Sequence, residues 1–137
     1  MKIFLYIIFS VAGLIIGSFA NVIIYRLPRK ISIISPFSFC ANCKSRLRFF
    51  DNIPVLSYLL LKGRCRQCKE KIPIRYPIVE IIIAILFFLN FYYFSISLLC
   101  LSGIILSTVL VIVSFIDMEL EVIPNALVLP FTLIGMI

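Results

Sequence analysis

Two uncharged apolar runs leave this chain few folds to adopt. Ile3 to Tyr25 is 23 residues without an Asp, Glu, Lys or Arg, and Ile81 to Ile116 is 36. About 20 apolar residues in a helix cross the hydrocarbon core of a bilayer. The first run is one span. The second is too long for one span and nearly long enough for two, which predicts a helical hairpin turning near Tyr93-Phe94-Ser95. Tyr76-Pro77 marks the start of its first helix, because proline suits the first helical turn. With 63% of its 137 residues hydrophobic, against about 45–50% in soluble domains, the chain reads as an all-α polytopic membrane protein. The segments expected are helix one at 3–25, a loop at 26–76, a hairpin of 77–94 and 96–117, and a turn at 118–124. A last apolar segment, Ala126 to Ile137, has only 12 residues and reads as an incomplete fourth helix, as in a truncated gene product or half of a split protein.

Charge gives the expected orientation. Twelve of the 13 Lys and Arg residues lie between Arg26 and Arg75, Lys2 being the exception. A basic cluster elsewhere would suggest nucleic acid. Flanked by spans, it follows the positive-inside rule and places the loop in the cytoplasm and the N-terminus outside. The expected partner is the lipid bilayer of the inner (cytoplasmic) membrane, with anionic headgroups near the loop, and not nucleic acid. Ser18-Phe19-Ala20 imitates a signal-peptide cleavage site. The apolar run continues through Asn21 to Tyr25, however, and cleavage would export the basic loop.

Inside that loop lie Cys40-Ala-Asn-Cys43 and Cys65-Arg-Gln-Cys68. Two C-x-x-C pairs suit tetrahedral Zn²⁺, each pair giving two thiolates from one tight turn. The alternatives are a disulfide framework and a redox C-x-x-C. A reducing cytoplasm disfavours the first, and the lack of a βαβ pattern disfavours the second. The loop is too short and polar for a large core, so its order should depend on metal. Cys100 stands alone in an apolar helix and reads as packing.

Polar residues in the spans need reasons. Gly13, Gly17 and Asn21 recur every four residues on one helix face, which predicts close helix packing. Glu80 falls in the first turn of the second span, either snorkelling or paired with Arg75. Asp117 ends an apolar helix, where the helix dipole and low dielectric both disfavour a carboxylate, so it is the candidate catalytic acid. Glu119 and Glu121 read as a solvated cap. Aspartic acid–base catalysis needs two facing carboxylates. Glu121 is badly placed to be the second, because Pro124 makes a continued helix doubtful.

Taken together, these motifs resemble a known family. Gly17-Ser-Phe-Ala-Asn-Val-Ile-Ile-Tyr-Arg-Leu-Pro28, the two C-x-x-C pairs and Asp51-Asn-Ile-Pro-Val-Leu-Ser57 match it. So do Lys62-Gly-Arg-Cys-Arg-Gln-Cys68, Arg75-Tyr-Pro-Ile-Val-Glu80 and the Asp117…Ile123-Pro-Asn125 turn. In order and spacing they resemble the bacterial type IV prepilin peptidases, membrane aspartic peptidases that often methylate their product. The resemblance runs from about Gly13 to Pro130. It implies that Asp117 is the first of two catalytic aspartates. The second belongs to a G-x-G-D motif that these 137 residues lack. It further implies prepilin or pseudopilin substrates cut on the cytoplasmic side, and S-adenosylmethionine as methyl donor. On this reading residues 1–76 are the first helix plus tetra-cysteine loop, and 77–137 begin the peptidase domain. The chain alone is expected to be inactive and to need a C-terminal peptidase fragment carrying G-x-G-D. The competing readings are a non-catalytic zinc-ribbon membrane adaptor and a membrane thiol oxidoreductase.

Overall fold

The computed structural model describes residues 1–34 and 37–120. Four α-helices are present among them: α1 (Lys2–Arg26), α2 (Leu56–Leu60), α3 (Arg75–Phe94) and α4 (Leu98–Leu120). A 3₁₀ turn covers Phe49–Asn52. Among the described residues three helices, α1, α3 and α4, are long and apolar enough to cross a membrane. The predicted hairpin is present, and its turn falls at residues 95–97, one step from the expected place.

Helix α1 lies against α3 because its small residues let the two backbones touch. A Cβ added at Gly13 would stand 2.6 Å from the Ala84 Cα, and one added at Gly17 would stand 2.6 Å from the Glu80 Cα. Asn21 continues the stripe, and its Nδ2 donates to the Tyr76 carbonyl at 3.0 Å. The core then builds outward from Ala20 and Ile24 of α1, through Val79, Ile83 and Phe87 of α3, to Ile112 and Ile116 of α4. At the other end of the bundle Phe9 stacks on Phe91 at 4.3 Å. Ile3, Phe4, Ile7, Val11 and Ile15 point away from this core and are exposed, as suits side chains that face lipid.

The glycine contact makes a direct prediction. Gly17→Ala must push α1 away from the Glu80 backbone, and overpacking of this kind costs about 1–3 kcal/mol. Ile15→Ala, on the exposed side, should change stability by less than about 0.5 kcal/mol. Thermal unfolding in lipid nanodiscs reads both, and equal effects would remove the close-packing account.

The structure corrects three expectations. Helix α4 continues past Asp117 to Leu120, so residues 118–120 are helical and not part of a turn. Glu80 does not pair with Arg75; Arg75 bonds Glu119 instead. Glu119 is therefore an ion-pair partner of Arg29, at 3.1 Å, and of Arg75, and not a merely solvated cap. Glu121, the Ile123-Pro124-Asn125 turn and the incomplete fourth helix at 126–137 lie outside the described residues.

Candidate metal centre and membrane-edge carboxylates

The loop builds the same small turn twice. Around Cys40 and Cys43, the Cys40 N–H donates to the Ser45 carbonyl at 3.0 Å, and the Lys44 N–H returns to the Cys40 carbonyl at 2.9 Å. Around Cys65 and Cys68, the Cys65 N–H donates to Glu70 at 2.9 Å, and the Lys69 N–H to Cys65 at 3.2 Å. Antiparallel bridges Phe39–Arg46 and Arg64–Lys71 close the two turns. Lys44 and Lys69 each hold a positive φ, 54° and 59°. This left-handed step bends the chain back after the second cysteine.

The two turns bring their cysteines to one point. All four Sγ atoms lie within 4.8 Å of one another, with Cys40–Cys68 at 3.7 Å and Cys43–Cys65 at 4.0 Å. A disulfide needs about 2.05 Å between sulfurs, and all five cysteines are free thiols. A tetrahedral ion with metal–sulfur bonds of about 2.3 Å sets its sulfurs about 3.8 Å apart. The distances fit a four-thiolate metal site and not a disulfide framework. Cys100 is buried in α4 and lies outside this cluster, as expected.

The local field prepares some of these thiols for ligation. The Ser45 hydroxyl beside Cys43 lowers its thiol to about 6, with help from the Ser45 backbone N–H. Backbone N–H groups of Cys68 and Gln67 lower Cys65. Burial dominates at Cys40 and pushes it up to about 11. Beside the second turn, Arg66 bonds Asp51 at 2.7 Å and ties the 3₁₀ segment to the cysteines. That guanidinium holds the Asp51 carboxyl below the usual carboxylate range.

The helix ends form a second polar group. Arg26 is buried and donates to the carbonyls of Ser32 at 3.0 Å and Phe37 at 3.3 Å, which folds the chain back as it leaves α1. Glu119 joins α4 to Arg29 beyond α1 and to Arg75 at the start of α3. Asp117 is half-buried beside the buried Ile116. Among the described residues its carboxylate makes no hydrogen bond or ion pair. Residues two apart on a helix do not face each other, so Glu119 cannot complete a dyad with Asp117.

The sequence did not reveal the role of Glu80. Its Oε2 accepts the Val55 N–H at 2.7 Å. Glu80 thereby clasps the loop onto α3. A residue-by-residue reading carries no signal for a bond between a backbone N–H and an acid 25 positions away.

Comparisons with known proteins agree with this arrangement. The family described as Bacterial Peptidase A24 N-terminal domain matches residues 11–94. The chain is 35% identical over 152 residues to "Prepilin leader peptidase/N-methyltransferase" of Neisseria gonorrhoeae, covering 93% of this chain and 53% of that protein. It is 41% identical over 134 residues to "Type 4 prepilin-like proteins leader peptide-processing enzyme" of Escherichia coli O78:H11, covering 85% and 50%. A shorter stretch of 83 residues is 51% identical to the "Prepilin leader peptidase/N-methyltransferase" of Vibrio cholerae, covering 55% and 33%. The chain spans about half the length of the curated relatives it matches. No solved structure matches it. The motif order, the membrane-capable helices around a tetra-cysteine loop and these similarities together give its family: the chain belongs to the bacterial A24 peptidases, whose N-terminal domain it carries.

Proposed function

We propose that the chain is the N-terminal part of a prepilin leader peptidase, an aspartic endopeptidase that cuts prepilin-like leaders at the cytoplasmic face of the inner membrane. The observation that supports it most is the 35% identity over 93% of the chain to a protein of that name, a stretch that includes both the cysteine turns and Asp117. In this reading residues 1–76 form the helix-plus-loop domain and 77–137 begin the peptidase domain.

Asp117 is the first catalytic acid. A half-buried carboxylate without a partner among the described residues is free to hold a water and accept its proton. The second carboxylate comes from a G-x-G-D segment outside these 137 residues, and the two share one proton. The water then attacks the scissile carbonyl of a prepilin or pseudopilin. N-methylation of the new amino terminus, with S-adenosylmethionine as donor, is the second activity proposed, on the relatives' names. Cys40, Cys43, Cys65 and Cys68 hold Zn²⁺, because four paired thiolates at tetrahedral spacing are its preferred structural donor set. A bound Zn²⁺ supplies a cross-link between the two turns and takes no part in the cleavage.

Co-expression of the chain with a G-x-G-D fragment and a tagged prepilin tests the peptidase reading, with leader removal as the readout. Orientation has its own test. The Lys/Arg distribution puts residues 26–76 and 118–124 inside the cell and 94–96 outside. Single cysteines in a background lacking the native ones should react with an impermeant reagent on intact cells near residue 95 and at the N-terminus, and not in the 26–76 loop. Labelling of the 26–76 loop from outside would reverse the topology.

A further inference from the structure

Between the cysteine turns and the α1–α3 crossing lies a cavity of about 290 Å³, with Glu80 in its wall. We propose that this cavity binds a free α-ammonium group together with the apolar side chain beside it, and that the Glu80 carboxylate is the counter-charge.

Glu80 is buried, with only 7% of it exposed, and unlike the buried Asp51 side chain it has no arginine paired with it. The chain carries a net charge of +7. Even so, no Lys or Arg pairs with Glu80 among the described residues. Arg46, Arg48, Arg66 and Lys71 also line the cavity, and none of the four pairs with Glu80. Arg66 is held by Asp51, and Arg46 lies 3.8 Å over the Phe37 ring. A buried carboxylate with no cation is costly, and a ligand that brings the positive charge recovers that cost.

The remaining geometry narrows the cation. The Val55 N–H occupies part of the carboxylate, which offers about four acceptor positions in all. A guanidinium needs both oxygens free for its planar fork. A sulfonium has no N–H to satisfy the open lone pairs. A compact ammonium fits what is left. Val55 reaches Glu80 by holding a φ of 59°, a costly conformation for a β-branched residue and one found at functional sites.

Size and lining narrow the ligand further. Val22, Ile53, Leu61, Ile72 and Tyr76 make much of the wall apolar. A volume of about 290 Å³ is at the small end of the roughly 300–1,000 Å³ of drug-sized pockets. It holds one large residue and its amino group. Neither Asp117 nor Glu119 lines the cavity. Resting on the peptidase reading above, the natural occupant is the new amino terminus of the cut product, held for its N-methylation. The binding itself does not depend on that reading.

The test uses the 137-residue, metal-loaded chain in nanodiscs and a hexapeptide amide beginning with leucine, with affinity read by thermophoresis. N-acetylation of the peptide should weaken binding by about 30-fold, the scale of a charged hydrogen bond. Glu80→Gln should do the same while keeping the metal and the loop, because the glutamine carbonyl still accepts the Val55 N–H. Equal binding of free and acetylated peptide, or unchanged binding by Glu80→Gln, would overturn the proposal. So would Glu80-dependent binding of S-adenosylmethionine without binding of the peptide. If Glu80→Gln releases the metal, Val22→Trp decides, since it fills the cavity from the α1 side. Loss of peptide binding with the metal retained supports the site, and unchanged binding overturns it. Failure of prepilin cleavage in co-expression leaves this readout untouched.

Discussion

Stripping the metal with a strong chelator should unfold the loop between α1 and α3 and leave the three long helices intact. The reason is the absence of any other core. Between residues 27 and 74, only Gly63 and Cys65 are buried among the described residues. Phe49, Phe50, Leu59 and Leu60 are all exposed. Structural Zn²⁺ supplies about 10–16 kcal/mol of apparent binding free energy in zinc-finger peptides, far more than two salt bridges, the Glu80–Val55 bond and a few turn hydrogen bonds provide here. Elemental analysis should find one zinc per chain. In hydrogen exchange, amides 38–47 and 63–72 should lose protection on chelation, while those of α1, α3 and α4 keep it. Cys65→Ser should behave like the stripped protein. Less than a tenth of an equivalent of zinc, with the four cysteines oxidised in pairs, would sink the assignment. Acid should act in the same direction as the chelator. Near neutral pH, Cys43, lowered to about 6, is already thiolate, whereas Cys40, pushed up to about 11, must release a proton to bind. Metal affinity therefore falls as pH falls, and falls more steeply below about 6, where Cys43 also holds its proton.

The features legible in the sequence were those set by local pattern. Apolar run length fixed the three spans, C-x-x-C spacing identified the four clustered thiols, and the four-residue recurrence of Gly13, Gly17 and Asn21 gave the α1–α3 face. The features missed depend on residues far apart in the chain. Glu80 bonds a backbone N–H of the loop, and Glu119 bonds arginines 44 and 90 positions away. No spacing rule connects such pairs. The end of α4 was misplaced for a different reason. Apolarity stops at Ile116, which suggests a helix ending at residue 117. Charge at a membrane edge does not break a helix, however, and the bias from Pro124 acts on the residue just before it. The helix therefore continues through Met118 and Glu119. This extension brings Glu119 to Arg29 and Arg75 and leaves Asp117 within the last turns of a regular helix.

Asp117→Asn should abolish prepilin cleavage in cells that also supply a G-x-G-D fragment, with the rate falling at least about 10³-fold. General acid–base catalysis is worth about 10²–10⁴-fold, and an amide of nearly the same size cannot accept the proton of the attacking water. The neighbouring acids provide the contrast. Glu119→Gln loses its ion pairs with Arg29 and Arg75. Pairs at a partly exposed surface are worth about 1 kcal/mol or less, so the rate should fall by less than about 10-fold. Glu121→Gln should have a similarly small effect. The chain without the second fragment should not cleave, because a lone carboxylate cannot be both base and acid of a shared-proton pair. The assay is a mobility shift of a tagged prepilin, with equal membrane levels of each variant checked by immunoblot. Rapid cleavage by the chain alone would mean that another of its own acids, Glu121 first, completes the site. Full activity of Asp117→Asn beside the fragment would remove Asp117 from the chemistry. A collapse of activity in Glu119→Gln as deep as in Asp117→Asn would mean that the Glu119 clamp, and not a carboxylate at 117, is what the reaction requires.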